Sequence, residues 1–279
     1  MRHIFKQKFL LGVLISAVLL QLSACSNVSV IPKSKDVDSA PDRQVDISRI
    51  PNAVPKNEPK SRYGNPESYV VFGKRYYVME SSKGFVERGI ASWYGTKFHG
   101  RRTSSGETYD MYAMTAAHKN LPLPTYVKVT NLDNGRHIIV KVNDRGPFHE
   151  NRIIDLSYTA AIKLDIVKKG TGLVEVRALQ AGEPVPDSNV NVGAPVEVGA
   201  DTGGFYIQVG SFSKLANAEK LRQKLGPLGQ QLVKISQAVV GGNNIYRVRI
   251  GPLSDIDIAD SIVSKLANYG VVEHRIVVN

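Results

Sequence analysis

Two carboxylates and a histidine stand out because each lies in a short, turn-prone context. Glu107 sits in Ser105-Gly106-Glu107, His118 follows Ala116-Ala117, and Asp144 sits in Asn143-Asp144-Arg145-Gly146-Pro147. A pair of carboxyls in different surroundings can divide acid and base work, and a nearby imidazole can orient either. Such a role requires that one carboxyl hold its proton near neutral pH, through burial or a second negative charge. The same residues also suit plain structure. An Asp before Arg-Gly-Pro forms turns by bonding its own backbone, and a His after two alanines can be a satisfied core residue. Upstream, Trp93-Tyr94-Gly95 offers two rings on which an apolar sugar face could stack, or two core side chains.

Other chemistries fit the sequence poorly. His99, His118, His137 and His149 are scattered, with no HExxH spacing, and there is one cysteine, so no zinc or other metal site is expected. No serine sits in a nucleophile elbow, and no glycine-rich loop follows a strand to cradle phosphates. No cofactor is expected.

Short strands must position these residues. Tyr126 to Thr130 alternates apolar and polar, as does His137 to Asn143, with Asn134-Gly135 between them as a hairpin turn. Ser157 reads as the N-cap of a short helix carrying Ala160, Ala161 and Leu164, and Leu173 to Leu179 is a further strand. Many short strands with one or two helices predict a small barrel over 85–181.

A second module spans 203–279. Phe205 to Phe212 alternates as a strand, and Ser213 is expected to cap a helix with Leu215, Ala218, Leu221 and Leu225. Leu232–Val240 and Ile245–Ile250 flank the turn 241–244. Ser254 is expected to open a second helix, and Val271–Val278 to close the module. The order is βαββαβ, a ferredoxin-like or RNP-like sheet with helices on one face. That fold also hosts RNA binders, but the Lys/Arg-Gly-Phe/Tyr signature is missing and nucleic acid is not an expected partner.

The remaining segments say where the modules work. Arg2, Lys6 and Lys8 precede an apolar run, Phe9 to Leu20, which has signal-peptide length. Leu22-Ser23-Ala24-Cys25 follows and resembles a bacterial lipobox, which implies a signal peptide over 1–24 and a membrane anchor on lipidated Cys25. Ser26 in place of Asp implies the outer membrane, periplasmic face. Residues 25–60 read as a disordered tether, 61–84 as a short β-rich prelude, and 182–202 as a flexible linker. Net charge is +11. It includes fourteen Lys/Arg against nine Asp/Glu over 85–181, and nine against five over 203–279. A mildly basic surface on both modules suits an anionic polymer, or no partner at all.

Taken together, Trp93-Tyr94-Gly95, Ser105-Gly106-Glu107, Thr115-Ala116-Ala117-His118, Asn143-Asp144-Arg145-Gly146-Pro147 and Ile154-Asp155-Leu156-Ser157 resemble the rare lipoprotein A family. The resemblance implies a six-stranded double-psi β-barrel and lytic transglycosylation of peptidoglycan at the bond between N-acetylmuramic acid and N-acetylglucosamine, leaving 1,6-anhydro ends. It carries the catalytic positions to Glu107, His118 and Asp144, with Asp144 expected as acid/base. Residues 203–279 resemble the SPOR domain, through Tyr206-Ile207-Gln208-Val209-Gly210-Ser211-Phe212 and Tyr246-Arg247-Val248-Arg249-Ile250-Gly251-Pro252. That implies binding of glycan strands stripped of stem peptides, which accumulate at the division septum. Gln208, Ser211, Arg247 and Arg249 are its expected glycan contacts, with Trp93 and Tyr94 as expected stacking residues of the barrel. The rival reading is a non-catalytic, expansin-like wall-binding lipoprotein whose Glu107 and Asp144 hold sugar hydroxyls. A third is a muramidase using water, which leaves reducing ends.

Overall fold

The structure, a computed structural model, describes residues 38–42, 46–183 and 204–278. The expected signal peptide, Cys25 and most of the 182–202 linker lie outside the described residues. A hairpin of β1 (Ser68–Val71) and β2 (Lys74–Tyr77) precedes the barrel. The barrel itself is built from β3 (Val86–Tyr94), β4 (Thr115–His118), β5 (Thr125–Asn131), β6 (His137–Asp144), β7 (Arg152–Ser157) and β8 (Thr171–Leu179). These close in the order β3-β7-β4-β6-β5-β8. Two of the contacts, β3 with β7 and β4 with β6, are parallel, so the chain crosses over the barrel between them.

The alternation in the sequence explains the core. Val127, Val129, Ile138, Val140 and Val142 all point inward and are buried, joined by Ala116, Ile154 and Leu156. Each fully buried Val, Ile or Leu contributes about 1.5–3 kcal/mol. Helix α1 (Tyr158–Leu164) begins where expected: Ser157 Oγ accepts the Ala160 N–H, and Ala160, Ala161 and Leu164 are buried.

The tether reading does not hold for residues 46–60. Ile50 and Ala53 pack on the barrel core. The Ala53 N–H donates to Ile139 O at 3.1 Å, and Asn52 Oδ1 accepts the Ile139 N–H at 3.3 Å. Strand β4 is shorter than β6 and pairs only with its C-terminal half, which leaves the backbone of Ile139 unpaired on that side. Buried backbone groups need partners, and this segment supplies them despite its coil-like composition.

Arg145 ties the prelude to the barrel. Its guanidinium donates to Gly64 O at 2.6 and 2.9 Å, to Leu121 O at 2.6 Å and to His118 O at 3.1 Å. One side chain thus satisfies three carbonyls from two segments, the prelude and the turn after β4.

The second module contains β9 (Phe205–Phe212), α2 (Leu215–Lys224), β10 (Val233–Val240), β11 (Asn243–Leu253), α3 (Ile256–Leu266) and β12 (Arg275–Val278). The antiparallel sheet runs β10-β11-β9-β12. Phe205, Ile207, Val209, Val248 and Ile250 face Ala218, Ala259, Ile262 and Leu266 of the helices. Both helix starts lie one residue later than expected. Lys214 rather than Ser213 stands at the first N-cap, with no side-chain bond, and Asp255 rather than Ser254 caps α3 through the N–H groups of Asp257 and Ile258. The closing strand starts at Arg275, because Val271 is buried in the core as part of the turn before it. The module meets the barrel through Asp260, which accepts from Arg152 Nη2 at 2.7 Å and Asn151 Nδ2 at 2.8 Å.

Arg145→Met keeps most of the aliphatic stem but strands several carbonyls. It should lower unfolding stability by about 2–4 kcal/mol, measured by urea denaturation. A change below about 0.5 kcal/mol would contradict the role given to this residue.

Candidate functional site

The register of the barrel sets four side chains in a line across four neighbouring strands. Ser92 of β3 pairs with Asp155 of β7, Asp155 pairs with Ala117 of β4, and Ala117 pairs with Asp144 of β6. Directly paired residues project to the same side of a sheet. At about 4.8 Å per strand, the two aspartates are about 10 Å apart at their α-carbons. Ala117 lies between them with only a methyl group and is buried under the turn at Gly146, where a Cβ would stand 3.8 Å from the Ala117 Cβ and 3.7 Å from Asp155 Oδ2. Asp144 reaches this row because of a bulge. Ala116 pairs with Val142 but Ala117 with Asp144, so Asn143 is an extra residue. Without it, Asp144 would share the inward face of Val142.

Each carboxyl is held differently. Asp155 Oδ1 accepts a hydrogen bond from Ser92 Oγ. Its surface is partly open, yet the surrounding protein removes most of its water. Burial is the main reason that its pKa is pushed up to about 6. Ser92, Arg152 and Lys119 oppose that rise, and the charge of Asp38 adds to it. Asp144 Oδ1 accepts from Ser104 N and Ser104 Oγ, both at 2.7 Å, and from Arg145 N at 2.8 Å. Among the described residues no donor reaches its Oδ2. Asp144 is therefore fixed in direction, with one oxygen left for a ligand. The Tyr94 hydroxyl lies within electrostatic reach of both carboxyls. Burial first, then Tyr109 and both aspartate charges, raise its hydroxyl well above the ordinary value.

Glu107 belongs to the turn that covers the end of β6. Its carbonyl accepts from Thr103 N at 2.8 Å, and the turn is pinned by Ser105 N on Asn143 O at 3.1 Å. Its carboxylate accepts from Asn143 Nδ2 at 2.7 Å and Lys141 Nζ at 2.8 Å. Burial raises its pKa, but the bonds from Asn143 and Lys141 outweigh that and hold it below the usual value. Glu107 is thus an ionised neighbour of Asn143 and a poor proton donor. Tyr63, exposed at the surface, lies against Gly106, where a Cβ would stand 3.2 Å from its ring. This ring beside the turn was not singled out from the sequence.

His118 does not join the carboxyls. Its Nδ1 accepts from Asn120 N and Leu121 N, both at 3.1 Å. Its Nε2 lies 3.4 Å from Glu87 Oε2, and the ring meets Phe85 edge-on. Burial lowers its pKa, against the raising effect of Glu87. The ring is 1% exposed and sets the turn after β4. Tyr94 is also buried, stacked on Tyr109 with centroids 4.0 Å apart, so it forms wall rather than platform. Trp93 is half-buried against Tyr158.

A raised carboxyl therefore stands at Asp155, a position that the sequence reading left without a role. A local signal existed: Asp155 lies between Ile154 and Leu156, so strand alternation sends it outward while its neighbours enter the core. What the sequence could not give was the partner across β4. A carboxyl that holds its proton near pH 6, two strands away from an oriented carboxyl group, can protonate a leaving oxygen while a second oxygen faces the developing charge. Among the described residues no three His, Cys, Asp or Glu side chains gather as a metal site would require.

On the second module, Arg247 pairs with Ser211 and Arg249 with Gln208. Simple alternation would put Gln208 and Ser211 on opposite faces. A bulge at Val209 brings them to one, opposite the helices. Arg275 pairs with Gln208 on the same face, and Arg249 lies over the Tyr206 ring at 6.0 Å. Arg275 and Tyr206 extend the expected group. Burial, then Arg247 and Arg275, lower the Arg249 pKa, as expected where cations are crowded together.

Residues 86–176 match a family model described as lytic transglycolase, and residues 201–272 match the SPOR domain. The chain is 41% identical to the endolytic peptidoglycan transglycosylase RlpA of Vibrio cholerae, over 91% of each chain. It is 40% identical to the protein of that name from Pseudomonas aeruginosa, over 84% of this chain and 82% of the other. Among solved structures, the RlpA SPOR domain from Pseudomonas aeruginosa is 30% identical over 26% of this chain and 97% of its own, with a TM-score of 0.25.

Asp155 binds its proton more tightly in the folded chain, at about 6, than in the unfolded chain, at 3.8. Its contribution to stability is therefore greatest below pH 3.8 and is lost as pH rises through about 6. Asp155→Asn, which copies the neutral form, should be more stable than the parent by about 1–2 kcal/mol at pH 8, with the gain vanishing near pH 4. Urea melts at the two pH values test this. An equal difference at both would place the carboxyl at an ordinary pKa.

Proposed function

The chain belongs to the RlpA family of endolytic peptidoglycan transglycosylases, and from that membership we propose that its barrel cleaves peptidoglycan glycan strands as a lytic transglycosylase. The observation that carries this reading is the row Ser92, Asp155, Ala117, Asp144, with its raised carboxyl at one position and its oriented one at another. Asp155 gives its proton to the oxygen between N-acetylmuramic acid and N-acetylglucosamine, and the C1–O bond breaks. Asp144 Oδ2 faces the positive charge that develops at C1. The C6 hydroxyl of the same muramic acid attacks C1, and its proton returns to Asp155. The products are a 1,6-anhydro end and a free hydroxyl on the other sugar. No water is consumed, and the acid is regenerated.

Glu107 keeps Asn143 in place next to Asp144, and its ionised carboxylate can accept a bond from a sugar hydroxyl. His118 acts through the turn it sets, and not on substrate. The sheet face of the second module, with Gln208, Ser211, Arg247, Arg249 and Arg275, holds the glycan strand. Strands without stem peptides are its preferred ligand, because the cations then meet the carboxylates of bare muramic acid. Binding by this module raises the local concentration of substrate around the barrel. Lipidated Cys25 anchors the protein in the membrane, with the outer membrane at the septum as its place of work.

The reaction is tested with the soluble chain starting after Cys25, on amidase-treated glycan strands, with products read by mass spectrometry. Anhydro-ended fragments are expected, at a rate that declines as pH rises above about 6. Asp155→Asn should reduce that rate by about 10²–10⁴ while the strands still bind. Reducing ends would instead indicate hydrolysis, and pelleting without products a binding protein. Replacing Arg247 and Arg249 together by Ala should weaken pelleting at least about tenfold without shifting Tm. Unchanged pelleting would remove the sheet face from the account.

A further inference from the structure

A segment far upstream of the barrel, residues 38–40, docks on the end of β3. Asp38 is fifty-seven residues from Gly95 in sequence, yet its carboxylate accepts the Gly95 N–H through both oxygens, at 3.0 and 2.9 Å, and the Lys97 N–H at 3.1 Å. Between these two, the Thr96 N–H donates to Ser39 O at 3.0 Å, and the Ser39 and Thr96 hydroxyls meet at 2.9 Å. Three successive N–H groups after β3 thus converge on residues 38–39. Ala40 then packs on the aromatic cluster that includes Trp93. The approach is so close that a Cβ at Gly95 would stand 2.2 Å from Ser39 O. Only glycine admits this segment, which gives the last residue of Trp93-Tyr94-Gly95 a physical reason.

The place occupied is next to the reacting row. Gly95 follows β3 three residues after Ser92, and the Asp38 charge is one of those that lift Asp155. A row of backbone N–H groups around a carboxylate is an anion cradle, which reads charge and not side-chain identity.

We propose that residues 38–40 are a self-ligand of the glycan groove, and that the Gly95–Lys97 cradle takes the free lactyl carboxylate of peptide-free muramic acid when Asp38 leaves. This rests on the glycan-cleaving reading above and deepens it. In a strand that still carries stem peptides the lactyl group is an amide, with no charge for the cradle. The barrel itself then selects bare strands, separately from the second module. A substrate carboxylate in the cradle also takes over the electrostatic push of Asp38 on Asp155.

The chain has one tryptophan, Trp93, beside the strap, so its fluorescence reports this site and not the second module. The probe is a muramic acid-containing tetrasaccharide with free lactyl carboxylates, compared with the same sugar carrying lactyl methylamides. Asp38→Ala in the full soluble chain should change the Trp93 emission without ligand. It should also bind the free acid about tenfold more tightly than the parent does, as removal of a bound competitor requires. The amide should bind both chains equally. Equal affinity of the two chains for the acid would overturn the self-ligand, and equal tightening for acid and amide would overturn the carboxylate cradle. Gly95→Ala gives a second eviction that leaves Asp38 intact, and its Trp93 emission without ligand should match that of Asp38→Ala. Parent-like emission from Gly95→Ala would contradict the close approach. The titration needs no turnover, so a chain that binds the acid and yields no anhydro product would sink the enzymatic reading alone.

Discussion

The site depends on one constraint, the closure of the barrel with β4 between β6 and β7. A strand of four residues has two neighbours, one parallel and one antiparallel, and Ala117 is paired on both sides. That double pairing is what brings Asp144 and Asp155, eleven residues apart along the chain, to the two flanks of one alanine. Neither hairpin nor helix could do it, because the carboxyls come from strands that never touch each other. The small side chain of Ala117 leaves room for the turn at Gly146 to pass over it, and the difference in surroundings of the two carboxyls follows from their positions. Asp155 is desolvated by the surrounding protein, whereas Asp144 stands at a strand end among turn donors.

The bulge at Asn143 is the second element on which this depends. It costs a ladder position, yet it turns Asp144 outward and leaves Asn143 free to hold Glu107. The same device recurs in the second module, where a bulge at Val209 puts Gln208 and Ser211 on one face. In both modules the extra residue lies where an outward polar side chain would otherwise point into the core. The regular strand regions build the cores, and the irregular ones aim the polar groups.

Much of this was legible in the sequence. Alternation at Val127, Val129, Ile138, Val140 and Val142 identified the barrel core, and Ser157 marked its helix. What composition misjudged was the segment 46–60, whose prolines and asparagines read as coil. Its order comes from the unpaired backbone of Ile139, a demand created by the short partner strand and invisible locally. His118 was expected to orient one of the carboxyls or to sit in the core, and its Nδ1 accepts from two turn N–H groups while its ring is sealed in. Nothing in Ile154-Asp155-Leu156-Ser157 marks Asp155 as a proton holder, since a raised pKa is a property of surroundings and not of spacing.

The central claim is that Asp155 is the proton-holding carboxyl of the groove. Carbon-13 NMR of the aspartate carboxyl signals across a pH titration of the soluble chain measures this directly. One aspartate signal with a midpoint at about 6, absent in Asp155→Asn, is expected. If the signal lost in that variant titrates near 3.8 instead, Asp155 is an ordinary carboxylate and the division of roles in the groove is wrong.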